Sequence, residues 1–147
     1  MVVIRNREWI TWDKKFACGI KLIDEQHKGL VNLVNQMFNH VTGNDEHEKI
    51  YFNRVIQVVF DHVKDHFATE EKIMMITNFS GYNQHKKEHD GFELTIVENI
   101  RDYEAGRRLT LFSFTTFLKE WVISHIEMKD REYFDYFRSK LSLIEVK

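Results

Sequence analysis

Apolar residues recur at helical spacing through most of the chain. The first stretch, residues 1–22, keeps no such period and reads as an arm carrying Trp9, Trp12, Phe16 and Ile20. Leu30, Val31, Val34, Met37, Phe38 and Val41 then mark one face of a helix, opened by Asp24 as its N-cap and ended by Gly43. A second helix is expected from about Asn44 or Asp45 to about Thr77, with the stripe Phe52, Val55, Val59, His62, His66, Glu70 and Ile73. Asn78 to Gly81 interrupts it. A third, from about Asn83 to Ala105, carries His85, His89, Phe92, Ile96 and Ile100 on one face and closes at Gly106. Thr110 or Leu111 starts a fourth, whose inner face reads Phe114, Phe117, Leu118, Trp121, Val122 and His125. A last amphipathic piece, Arg131 to about Leu143, brings Tyr133, Phe134 and Phe137. The pattern predicts an all-α protein, an up-down-up-down four-helix bundle over 24–129 with an N-terminal arm (1–22) and a short C-terminal helix (131–143), all in a single domain over 1–147.

Composition narrows the picture. A chain of 147 residues can bury one substantial core, and the absence of proline lets its helices run long. With a net charge of −2 there is no broad basic surface for nucleic acid. No apolar run reaches the 18 or so residues that a membrane span needs, and the start lacks the apolar core of a secretory signal, so a cytoplasmic location is the default expectation. The single cysteine, Cys18, cannot form an intramolecular disulfide; with no basic or histidine neighbour in sequence, it is expected to be a small buried hydrophobe. Eight histidines beside that one cysteine direct any metal site toward imidazole and carboxylate ligands.

Those ligands fall on the apolar faces. His66 and Glu70 are four residues apart, so they share one helix face and can reach one point. His85 and His89 repeat the spacing. His27 lies on the first stripe, and His125 on the fourth is followed five residues later by Asp130. A lone histidine on an apolar stripe is more often a hydrogen-bonded core residue. Five of them with two carboxylates on four inner faces would bury several polar groups at a few kcal/mol each unless something paired them. Five imidazoles and two carboxylates exceed the needs of one tetrahedral zinc and suit two metals. Spacing alone leaves His62/His66 open as an alternative chelating pair, and Asp61 and Glu71 also neighbour the site. His40 and His47 read as solvent-facing, and Glu88, about 100° round the helix from His89, as exposed.

The order His27, His66-x-x-x-Glu70, His85-x-x-x-His89, His125-x-x-x-x-Asp130 resembles the hemerythrin signature. The strings Ile23-Asp24-Glu25-Gln26-His27-Lys28, His66-Phe67-x-x-Glu70-Glu71 and Trp121-x-x-x-His125-Ile126 resemble its bacterial branch, the bacteriohemerythrins. The resemblance covers nearly the whole chain and implies reversible O2 binding, as carrier, store or sensor rather than enzyme. It implies two Fe ions (Fe2+/Fe3+) bridged by carboxylates and an oxo or hydroxo group. By it, His85, His89 and His125 hold one iron, His27 and His66 the other, and Glu70 and Asp130 bridge both. It favours His66/Glu70 over His62/His66 and leaves the two-histidine iron open to O2. No nucleic acid or membrane partner is implied, and an unidentified redox or O2-consuming protein would be the natural protein partner.

Two further expectations follow. Leu30, Phe67, Val122, Ile126 and Met128 are candidates by helical position for an apolar O2 pocket. Five residues turn about 500° on an ideal helix, setting His125 and Asp130 roughly 140° apart, so a break or π-type distortion is expected between Glu127 and Asp130. The rival reading is a di-iron enzyme on the same scaffold, a peroxidase or nitric-oxide-handling protein, with His62 as the residue to watch. A single domain is expected, so a signalling role would require a separate protein.

Overall fold

The computed structural model describes residues 6–106, 110–129 and 131–144, apart from the side chains of 128–133 and 141–144. Four helices form the bundle: α1 (Lys21–Asn39), α2 (Asp45–Ile76), α3 (Tyr82–Glu104) and α4 (Leu111–Ser124). A π-helical turn, His125–Lys129, follows α4 and leads into α5 (Arg131–Ile144). The expected distortion is therefore present, reaching two residues further upstream than predicted.

Local chemistry sets most of the boundaries. Asn44 caps α2 by accepting a hydrogen bond from the His47 amide at 2.9 Å. Thr110 and Ser113 form a reciprocal capping box at the start of α4. At the end of α2, Asn78 takes a left-handed backbone (φ 54°), and the Phe79 amide donates back to the Met74 carbonyl at 2.9 Å. This is the Schellman arrangement, which satisfies carbonyls left open by the last turn. Gly106 (φ 70°) closes α3 as expected.

The start of α1 differs from expectation. The helix begins at Lys21, three residues before Asp24, which is therefore inside it rather than its N-cap. The Asp24 carboxylate turns back to accept from the amides of Cys18 (2.8 Å) and Gly19 (3.2 Å), fixing the arm against the first turn. An acidic group is favourable at either position, because both lie at the positive end of the helix dipole.

α1 packs against α2 and α4, and α2 against α3. Phe52, Val59, Val34, Met37, Phe114 and Leu118 are all at most 1% exposed in the core between them. The arm runs back along α1, held by two asparagines one turn apart. Asn35 Oδ1 accepts from the amides of Trp9 and Ile10, both at 2.8 Å, and Asn39 Oδ1 accepts from the Arg7 amide at 2.8 Å. A second apolar cluster joins Cys18, Ile23 and Met74 to Phe134 and Phe137 of α5, where α1 begins and α2 ends. Cys18 is buried there, as expected. Among the described residues, no helix is long and apolar enough to cross a membrane.

On α2 the buried stripe departs from the expected one. Val63 is fully buried and His62 is exposed, and Met74 rather than Ile73 is fully enclosed. A helix of 32 residues drifts about 20° per heptad against a fixed repeat, so the inward face moves by one position along its length.

Candidate metal centre

His27, His66 and Glu70 are all 0% exposed and His125 is 5% exposed, in the dry interior beyond the apolar core. One donor atom from each of the four lies within 4.8 Å of the others. His66 Nε2 is 3.1 Å from His27 Nε2 and 3.0 Å from His125 Nε2. The Glu70 carboxylate spans the group. Its Oε1 is 3.3 Å from both His89 Nε2 and His125 Nε2, and its Oε2 is 3.5 Å from His66 Nε2. Donors bound to one ion at about 2.0–2.2 Å sit about 3.0–3.5 Å apart, so these separations match a coordination shell.

Outer hydrogen bonds settle which nitrogens can ligate. Thr69 Oγ1 donates to the Asp65 carbonyl (3.0 Å) and accepts from Gln26 Nε2 (2.9 Å), which turns the Gln26 carbonyl oxygen toward His66 Nδ1 at 2.9 Å. His66 therefore carries its proton on Nδ1 and aims the Nε2 lone pair inward. His89 Nδ1 likewise donates to Glu71 Oε2 at 2.8 Å, leaving Nε2 directed at Glu70. Lone pairs and carboxylate oxygens thus point into one volume, an arrangement that repels unless a cation lies among them.

Protons are a poor substitute for that cation at His66. Burial pushes this imidazole well below its ordinary value, and the neighbouring His27, His125 and His89 add to the effect against the pull of Glu70. Burial alone would raise the Glu70 carboxyl, but His66, His125 and His89 outweigh it and hold the group ionised. Burial also pushes His89 down, and its bonds to Glu70 and Glu71 more than compensate, raising it. Imidazoles around an ionised carboxylate fit a transition-metal ion such as iron or zinc.

The remaining predicted residues fall into three groups. His85 (6% exposed) and His89 line a cavity of about 210 Å³ together with His125, Phe67 and Trp121, so α3 brings its pair to the centre's edge. Leu30, Phe67, Val122 and Ile126 are each at most 2% exposed and belong to one continuous apolar cluster. Phe67 stacks on His89 at 3.9 Å between ring centroids. Asp130 and the Met128 side chain lie outside the described residues.

Other placements differ from the sequence reading. His40 and His47 are half-buried rather than solvent-facing: His40 Nδ1 and His47 Nε2 are 3.1 Å apart, and His40 stacks on Tyr51 at 3.7 Å. Glu88 is half-buried, with its carboxylate 3.7 Å from His85 Nδ1 at the cavity wall. Gln26, Glu71 and Trp121, the last stacked on His125 at 4.6 Å, hold the donor rings in place. The first two were marked in sequence only by lying next to a ligand position.

Fold and centre together define a four-helix bundle with an imidazole-and-carboxylate cation site built from its inward faces. The family model for the hemerythrin HHE cation binding domain matches residues 18–137, and the chain belongs to that family. It is 30% identical over 133 residues to a bacteriohemerythrin of Pseudomonas aeruginosa, covering 90% of this chain and 84% of that protein. A bacteriohemerythrin of Stenotrophomonas maltophilia is 27% identical over the same length, with the same coverage. A crystal structure of a leucine-to-tyrosine mutant of hemerythrin superposes with a TM-score of 0.75 at 25% identity, over 89% of this chain and 98% of that one.

Proposed function

We propose that this protein binds O2 reversibly at a non-haem di-iron centre, acting as an oxygen carrier, store or sensor. His85, His89 and His125 would hold one iron, and His27 and His66 the other. Glu70 and Asp130 would bridge the pair. The observation that carries the reading is the Glu70 carboxylate, one oxygen toward His89 and His125 and the other toward His66. A carboxylate with one oxygen toward each histidine set has the reach that a bridge between two metals would need.

Held by these residues, iron would supply the affinity for O2. The chain's own part would be to aim the imidazole nitrogens inward, hold Glu70 ionised and enclose the site. The buried apolar residues Leu30, Phe67, Val122 and Ile126 would line the O2 site and offer no proton to a bound oxygen, which would favour release over reduction. Binding rather than turnover is therefore the expected activity. Cycling the protein between O2 and argon should switch its visible absorption reversibly. Steady consumption of peroxide with an added reductant, without such a cycle, would instead mark an enzyme.

A further inference from the structure

The two halves of the centre are backed by different chemistry. His89 Nδ1 donates to a carboxylate, Glu71, whose other oxygen is 3.7 Å from Lys86 Nζ. His66 Nδ1 donates to a neutral amide, Gln26, which is itself oriented by Thr69. Gln26 is half-buried and lines a surface cavity of about 250 Å³ with Leu22, Gly29, His62 and Asp65, away from the donor atoms. Its side chain meets the centre through the bond to His66 Nδ1.

We propose that Gln26 is a positioning residue that fixes the proton of His66 on Nδ1 and, being neutral, keeps the two-histidine half electron-poorer than the half backed by Glu71. This rests on the di-iron reading above. A hydrogen bond to a carboxylate makes an imidazole a stronger donor than a hydrogen bond to an amide. His89 therefore gives its metal more electron density than His66 gives the other. The Gln26–Thr69–Asp65 chain adds direction. With Thr69 accepting from Gln26 Nε2, the amide cannot turn its NH2 toward the ring without losing that bond. An unlatched imidazole could place its proton on Nε2 and withdraw the lone pair from the centre.

The test is a Zn2+ titration of the metal-stripped full chain, with 15N NMR of the His66 ring and the reduction potential of the iron-loaded protein. The native chain should bind two Zn2+. Gln26→Leu should weaken the weaker of the two by about 10–100-fold and shift the His66 ring toward the Nε2–H tautomer. Gln26→Glu should restore the affinity and move the potential below native, because both halves then carry a carboxylate. Thr69→Val, at a half-buried site outside the centre, should give a smaller loss of the same kind even if Gln26→Leu folds poorly. Two Zn2+ bound by every variant with native affinity and an unchanged tautomer would overturn the role of Gln26 alone. Fewer than two Zn2+ on the native chain would overturn the two-metal reading and this inference with it.

Discussion

His66 Nε2 and His125 Nε2 lie 3.0 Å apart although 59 residues separate them in the chain. One sits midway along the inward face of α2, and the other opens the π turn after α4. Since His66 has its proton committed to Gln26, its inner nitrogen faces a second nitrogen and a carboxylate with only a lone pair. That contact is what makes a bound cation the natural completion of the fold.

Glu70 is the group whose loss should be felt most. Glu70→Gln keeps the shape and removes the charge that joins the two histidine sets. Removing one partner of a buried charge set costs about 2–5 kcal/mol, which is at least about thirtyfold in affinity. Iron per chain, measured by elemental analysis after gel filtration, should drop from two to one or fewer with helical circular dichroism unchanged. Full iron loading in this variant would remove the bridging role.

Phe67 contributes to both packing and pocket. It is 1% exposed and stacks face to face on His89, so Phe67→Ala should cost about 3–5 kcal/mol in urea unfolding. Phe67→Leu, which keeps most of the apolar volume, should cost less than half of that. Equal losses would place the ring's contribution in its edges and partners rather than in its bulk.

The π turn is expected to set the rotation of everything after it. Deleting Glu127 restores ordinary α spacing and turns α5 by about 100°, carrying Phe134 and Phe137 out of the cluster with Cys18, Ile23 and Met74. Thermal unfolding should then occur well below native, by an amount similar to losing both aromatic rings. Glu127→Ala, which removes only the salt bridge to Lys15 at 3.2 Å, should change stability by less than about 1 kcal/mol. If the deletion and the substitution behave alike, the extra residue has no structural role.

The histidine pair outside the centre gives a pH signature. Burial lowers His40 below its ordinary value, and His47 lowers it further. The unfolded chain therefore takes up a proton at higher pH than the folded one does, so the stability contributed by neutral His40 is complete above about pH 6.5 and declines as pH falls below it. His40→Gln should lose less stability than the native chain between pH 7 and pH 5 in parallel denaturant titrations. Identical slopes would show that burial does not lower His40.

Sequence pattern carried the architecture and marked the four side chains that the fold brings within 4.8 Å of one another, for physical reasons that differ along the chain. His66 and Glu70 were legible because an i, i+4 pair on an apolar helix admits few explanations. The π turn was legible because five residues between His125 and Asp130 do not fit a regular helix. His62 was misplaced because a fixed repeat drifts off the inward face of a long helix. Asp24 was misread as a cap because its carboxylate can satisfy backbone amides from inside the first turn as well as from the N-cap. Glu71 was legible only as a neighbour of the site and Gln26 only as part of a motif string, because their work depends on which ring nitrogen each meets, and no periodicity encodes that. The His40, His47 and Tyr51 stack arises from the close approach of two helix ends, which spacing within either helix cannot show.

The most direct measurement is the iron content of the protein as isolated, by elemental analysis against protein concentration. The account predicts two iron atoms per chain, removable by chelation with a fall in stability of about 4 kcal/mol for each site held at a thousandfold excess over its dissociation constant. One metal or none on a chain that is fully folded, and unfolds identically before and after chelation, would contradict it.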